Sequence, residues 1–285
     1  MNSFMGSVVV SIVGKTNAGK STLLNALIGE KVSIVSPKKQ TTRENILGIL
    51  NEKDYQIVFV DTPGIHKTTN ELGKSMMKSV RSAMHDVDVV VYIVDATKGL
   101  DKNEFENISN KAKELNIILV LSKIDIAGFE KTYPLIDKFS KISELKMILP
   151  ISSKENKNLD LLIEKIKEFL VKQEVKDLTY SRETYTTQTI KDMAEEIIRE
   201  KALYLLEEEV PHGIFVEIVN FKENKDITKI DAEIICKKNS HKAIIIGKQG
   251  NKLKEIATQS RLEIQELIDS KVMLTLYVKS REKKD

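Results

Sequence analysis

Runs of consecutive β-branched residues punctuate the first half of the chain: VVVSIV (8–13), YQIVFV (55–60), DVVVYIV (88–94) and IILVLS (117–122). Strands that are apolar at successive positions have both faces buried, whereas a half-solvated strand alternates. Helix-length amphipathic segments lie between these runs. Leu72, Met76, Val80, Ala83, Met84 and Val87 recur at helical spacing, as do Leu159, Leu162, Ile163, Ile166 and Leu170. The alternation predicts an α/β domain over residues 1–172, with a mixed, mostly parallel sheet between helices. Beyond Leu170 the stretch KQEVKDLTYSRET is polar and aperiodic, and residues 173–184 read as a linker. A different organisation follows over 185–285. Ile190, Met193, Ala194, Ile197, Ile198 and Leu205 mark a helix; GIFVEIVNF and KIDAEIICKK read as strands; AIIIGKQGNKLKEI reads as two helices parted by a glycine loop; KVMLTLYVK closes as a strand. That order, helix, strand, strand, helix, helix, strand, defines an α+β domain.

Composition adds limits. With 285 residues, 41% hydrophobic and 31% charged, the chain fills cores and keeps wet surfaces, which excludes a largely disordered protein. A net charge of only +3 means that any nucleic-acid partner is held by a local patch. The lone cysteine, Cys236, lies in a strand-like run and reads as a buried thiol in a reducing compartment. The apolar start is too short to span a bilayer, so a cytoplasmic protein is expected, with no more than peripheral contact with the inner face of the membrane.

The chemistry begins at GKTNAGKST, which matches G-x-x-x-x-G-K-[ST] between a strand and an amphipathic helix. In this loop the backbone N–H groups of Gly14, Lys15, Asn17, Ala18 and Gly19 curl around phosphate oxygens. Lys20 reaches the β and γ phosphates, the Ser21 hydroxyl ligates Mg²⁺, and Thr22 joins the nucleotide-binding set. Downstream, YQIVFVDTPG sets Asp61 to hold Mg²⁺ through water and Gly64 to touch the γ phosphate. Lys20, Asp61 and Gly64 therefore join the catalytic set. In SKID, the Asp125 carboxylate can accept N1–H and N2–H of guanine, a donor pair that adenine lacks, while Lys123 packs along the ring. Ser152 and Ser153 of PISSKEN close this pocket. The base choice favours GTP/GDP over ATP.

Catalytic help is less complete. Ras-type enzymes orient the attacking water with a glutamine after the DxxG glycine, and here that position is Ile65, which predicts slow intrinsic hydrolysis. The first switch is expected in PKKQTTRENILG. Thr42 is the choice for the second Mg²⁺ ligand, Thr41 its alternative, and Arg43 reads as a surface residue. His66 reads as exposed and His85 as structural.

The second loop, GKQG, lacks the spacing of a phosphate-binding loop of the first kind and lies between two helices. With its element order it resembles a type II KH domain. Such loops clamp the backbone of single-stranded RNA, so Gly247, Lys248, Gln249 and Gly250 are the expected clamp, flanked by Lys242 and Lys252. A base groove lined by Ile245, Ile246 and Ile256 is expected beside it. The six lysines from Lys237 to Lys254 are interrupted by no acid. With no tryptophan and few aromatics, serial base stacking is disfavoured.

The succession GKTNAGKS, QTTRE, DTPG, SKID and ISS resembles the translation-factor-related GTPases. With AEEIIRE, EEVPHGIFVEI and AIIIGKQG, nearly the whole chain resembles the bacterial Era family. The resemblance implies a monomeric GTPase that binds the 3′ end of small-subunit ribosomal RNA in 30S subunit maturation, and no DNA. It also implies that Asn17 matches an asparagine that ligates K⁺ in related GTPases. Two positions depart from the pattern. Ser122 stands where the guanine motif has asparagine, losing the amide that braces the loop and meets the base, and Ser153 stands for an alanine. Two other readings stay open at this point: an RNA-binding module with a degenerate nucleotide site, and an ATP-using enzyme acting on RNA.

Overall fold

The structure, a computed structural model, describes residues 4–33, 46–61, 87–174, 180–206 and 214–281. Those up to Thr187 and those from Gln188 onward form two compact units.

In the first unit the strands are β1 (Phe4–Gly14), β2 (Ile46–Asn51), β3 (Tyr55–Asp61), β4 (Val89–Asp95), β5 (Ile117–Ser122), β6 (Met147–Pro150) and β7 (Val171–Glu174). The helices are α1 (Lys20–Ile28), α2 (Lys102–Ala112), α3 (Ile124–Phe139) and α4 (Leu159–Lys167). The sheet runs β2-β3-β1-β4-β5-β6, with β7 beside the start of β1. Pairings along β3-β1-β4-β5-β6 are parallel, while β2 and β7 pair antiparallel.

The continuous apolar runs are explained by the two-sided burial. Val8, Val10, Ile12, Val91, Ile93, Ile118 and Val120 enter one core with Leu23 and Leu24 of α1 and Leu162 and Ile166 of α4. Their neighbours Val13, Val90, Tyr92, Val94, Leu119 and Leu121 enter a second core with Ile108 of α2 and Leu135 and Phe139 of α3. Each strand residue thus joins the core on its own side of the sheet, as the period-two geometry of a strand requires.

Strands β2 and β7 were not legible in the hydrophobic pattern. The segment read as a linker also behaves differently at both ends. Val171–Glu174 pairs with β1, and further on Ile49 N–H donates to Tyr185 O at 2.9 Å and Asn51 Nδ2 to Thr184 O at 2.8 Å. Gln56, fully buried, donates from Nε2 to Tyr180 O at 3.1 Å. The exit of the first domain is thereby sewn onto its β2 edge.

The second unit contains α5 (Ile190–Leu205), β8 (Phe215–Glu223), β9 (Thr228–Cys236), α6 (Asn239–Ile246), α7 (Asn251–Ile268) and β10 (Val272–Ser280). Helix α5 starts with a capping box between Thr189 and Asp192, which satisfies the first orphan amides. The sheet order is β10-β9-β8, with β9 antiparallel to β8 and parallel to β10. Ile198, Leu203, Ile218, Ile230, Ile234, Cys236, Ile245, Ile256 and Ile264 close its core. The order of elements is the one expected from sequence. Cys236 is fully buried, as its setting predicted, with Sγ 3.3 Å from Lys238 O and 3.2 Å from Lys279 O.

No helix among the described residues is long and apolar enough to cross a membrane. The helix expected over Leu72–Val87, together with Thr41, Thr42, Arg43, Gly64, Ile65, His66 and His85, lies wholly or in part outside the described residues.

Candidate nucleotide site and RNA-binding loop

The first glycine loop joins β1 to α1 at the C-terminal end of the parallel strands, where ligands meet α/β sheets. Gly14 is fixed there by proximity, because a Cβ would lie 2.5 Å from Ile93 O on the neighbouring strand. Lys20 is nearly buried, and its Nζ lies 3.3 Å from Gly14 O and 3.1 Å from Lys15 O. The ammonium is thus held inside the curl of the loop, where phosphate oxygens can draw on it. Ser21 is buried beside it at the first turn of α1. Thr22 follows in that turn, and Asp61 ends β3, in register with Ile12 of β1.

Three side chains grip the outside of this loop. Ser122, buried at the end of β5, approaches Ala18 O at 2.6 Å and Val94 O at 3.2 Å through Oγ. One hydroxyl carries one proton, and the shorter contact takes it. The expectation that serine forfeits the brace at this position is therefore corrected: the hydroxyl ties the loop to β5. Lys123 stands at φ 60° before α3 and donates from Nζ to Asn17 O at 2.5 Å and to Asp95 Oδ2 at 2.8 Å. Burial pushes the Asp95 carboxyl up, but the Lys123 ammonium and the two Thr97 donors outweigh it and hold the carboxyl below the usual range. Sequence reading missed Asp95, since a carboxylate at a strand end carries no motif of its own.

The third grip is Lys15. Its backbone belongs to the loop, but its ammonium pairs with Asp101 Oδ2 at 2.5 Å and Glu104 Oε2 at 3.0 Å at the start of α2. The side chain therefore supports the loop from outside, and its main chain alone belongs to the loop.

On the base side, Ser152 is fully buried and donates from Oγ to Asp125 Oδ1 at 2.8 Å, and the same oxygen accepts Glu155 N–H at 3.1 Å. A serine satisfied in both roles holds the Asp125 carboxylate in one orientation. Ser153 follows at the turn, half-buried. Asn25, which no motif marks, clamps the chain after α1 by donating to Ser33 O at 2.7 Å and accepting Val32 and Ser33 N–H at 3.0 and 2.9 Å. No group of three or more His, Cys, Asp or Glu side chains gathers as a metal site among the described residues.

In the second unit, α6 ends at Ile246 and α7 starts at Asn251, with GKQG as a tight turn between them. Gly247 sits at φ +74°, and a Cβ there would meet Lys252 Cβ at 2.6 Å. Gln249 takes φ 53°, a left-handed conformation that costs a non-glycine residue about 1 kcal/mol. Lys248 and Gln249 are exposed, and Lys242 and Lys252 half-buried, around the turn. Ile245 and Ile256 are corrected from their expected place in a base groove. Both are fully buried in the domain core, because each faces inward on its helix. The apolar surface beside the loop is offered by Ile244 and Ile246, which are 43% and 37% exposed.

A phosphate-binding loop gripped from β5 and α2, a carboxylate oriented by a buried serine at the start of α3 and a GxxG turn in a second domain define a P-loop GTPase followed by a KH domain. The family models agree: residues 9–123 match a 50S ribosome-binding GTPase and residues 209–284 a KH domain. The GTPase Era of Clostridium botulinum strain Hall is 45% identical over 96% of this chain and 92% of its own. That of Ruminiclostridium cellulolyticum is 40% identical over 95% and 90%. Two solved structures match with 40% identity, each covering 97% of this chain and 94% of its own. One is an Aquifex aeolicus Era variant bound to GDP and aluminium fluoride, with a TM-score of 0.91. The other is Era in complex with MgGDPNP and nucleotides 1506–1542 of 16S ribosomal RNA, with a TM-score of 0.90. This chain belongs to the Era family of GTPases.

Proposed function

We propose that the protein is a slow GTPase whose nucleotide state governs binding of its KH domain to the 3′ end of small-subunit ribosomal RNA, in maturation of the 30S subunit. The observation that carries the GTP half is the Ser152 to Asp125 hydrogen bond, which presents a fixed carboxylate to a base with two adjacent N–H donors. The RNA half rests on the GKQG turn in its lysine-rich setting, and on the relative solved with MgGDPNP and 16S ribosomal RNA. The protein would act as a monomer in the cytoplasm, bind no DNA, and touch a membrane at most peripherally.

The loop's chemistry fits a magnesium nucleotide. Lys20 is already folded over the loop carbonyls, and the Ser21 hydroxyl stands at the adjoining helix start. Ser21 and Thr42 would hold the ion, with Asp61 acting through water, and Mg²⁺ would neutralise charge between the β and γ phosphates. Gly64 would donate its N–H to the γ phosphate. With isoleucine at position 65, no side-chain amide orients the attacking water, so turnover is slow. Asn17 would ligate K⁺ at the same loop, and hydrolysis that ran equally fast in Na⁺ would exclude this.

The degenerate-site reading loses its main motive, because Ser122 still anchors Ala18. The test is equilibrium binding of labelled GDP and GDPNP, competed with ATP, on the native chain and on Ser122→Asn. RNA binding is then measured in each nucleotide state with a 16S 3′-end oligonucleotide. Selective guanine binding with different RNA affinities in the GDP and GDPNP states is expected. Equal competition by ATP, or RNA affinity indifferent to nucleotide, would overturn it.

A further inference from the structure

We propose that Lys15 is a positioning residue that latches the phosphate-binding loop to the N-terminal turn of α2 and thereby slows release of bound nucleotide. Lys15 works through both ends of the residue. Its carbonyl accepts Ala18 N–H at 3.3 Å and the Lys20 ammonium at 3.1 Å, so its backbone position helps to set where Lys20 points. Its own ammonium bridges Asp101 and Glu104. Asp101 is the cap of α2, accepting Glu104 N–H at 3.1 Å, so the latch ends on a rigid helix start.

Glu104 makes this pair more than a surface contact. Its side chain is 7% exposed, and its Oε1 finds no hydrogen-bond partner among the described residues. Burial pushes its carboxyl up, partly opposed by Lys15. The Lys15 ammonium is thus its nearest compensation, and an ion pair with one buried member resists loosening better than an exposed one. Asp95 and Asp101 add like charge around Glu104, which strengthens the demand for a cation there. The loop is thus held at Lys15 by Asp101 and Glu104, at Asn17 by Lys123 and at Ala18 by Ser122.

The effect on nucleotide release rests on the GTPase reading above; the latch itself does not. Two readouts separate them: amide hydrogen exchange over residues 15–20 in the nucleotide-free full-length protein, and dissociation of fluorescent GDP. Lys15→Met is expected to speed both, GDP release by roughly threefold to tenfold, while Lys15→Arg restores them. Asp101→Asn should give the same change, and the pair combined should be no worse than either alone. Lys15→Met with Glu104→Gln removes the uncompensated buried charge. If that double variant returns loop exchange to the native rate, Lys15 serves only as a charge partner and the proposal is wrong. Unchanged exchange in Lys15→Met also overturns it. If the native chain binds no GDP, the GTPase reading falls and the exchange data alone decide the latch.

Discussion

Ser122 Oγ donates to Ala18 O at 2.6 Å, joining the end of β5 to the phosphate-binding loop with a side chain one atom shorter than the amide it replaces. The hydroxyl is buried and its one proton is committed to the loop, so this contact is a tether and leaves no donor for the base. Ser122→Ala should therefore loosen GDP and GDPNP alike, by about fivefold for a neutral buried hydrogen bond worth about 1 kcal/mol. Titration of fluorescent nucleotide into the variant measures it. A selective loss of one nucleotide would place the serine at the phosphates instead.

Base selection should depend on Ser152. Ser152→Ala leaves Asp125 Oδ1 without its buried donor, freeing the carboxylate to rotate. GDP should weaken by roughly threefold to tenfold, with the weak competition by ATP unchanged, as expected when a hydrogen bond to a charged group is removed. Competition curves on native and variant protein check both numbers together.

The two glycines of the GKQG turn are not equivalent. A Cβ at Gly247 collides with Lys252 Cβ, whereas one at Gly250 meets nothing within 4 Å. Gly247→Asp should lower the melting temperature as well as RNA affinity. Gly250→Asn, a residue that tolerates the left-handed conformation, should weaken RNA with little change in melting. Circular dichroism melts beside RNA titrations separate the two effects.

Asp95 makes one contribution to acid sensitivity. Its carboxyl is held below the ordinary value despite burial, so it stabilises the fold fully above about pH 4, the unfolded value, and this is lost as pH falls through the folded one. The stability difference between native protein and Asp95→Asn should be constant near neutrality and shrink below about pH 4. Urea unfolding at a series of pH values measures it, and a difference that grew toward acid would reverse the assignment.

What was legible in the sequence follows from which signals are local. The two-sided runs of β1, β3, β4 and β5, the first glycine loop and the element order of the second domain each announce themselves within a few residues. Strand β2 does not, since ILGILN sits against α1 with Gly48 so close that a Cβ would lie 2.8 Å from Leu24 Cδ1. That contact exists only once the sheet is built. The supports of the site are equally non-local. Asp95 reaches Lys123 and Lys15 reaches Asp101 across 28 and 86 residues of chain. Ile245 and Ile256 failed as groove residues for a related reason: in III and KLKEI several apolar positions are candidates, and only the packing of α6 and α7 on the sheet decides which face inward.

The segment from Tyr180 to Thr186 also changes what kind of surface the first domain presents. Among the described strands β2 ends its sheet, and an open strand edge is a template for pairing with another chain. Here Thr186 bridges Gly48, Tyr185 O takes the Ile49 amide, and Arg182 donates to Glu52 O at 3.3 Å. The chain leaving the domain occupies the place an intruding strand would need. A GTPase domain cut after β7, at residue 174, would keep the phosphate-binding loop and its supports and lose this guard, so self-association, rather than unfolding, is the failure expected of it.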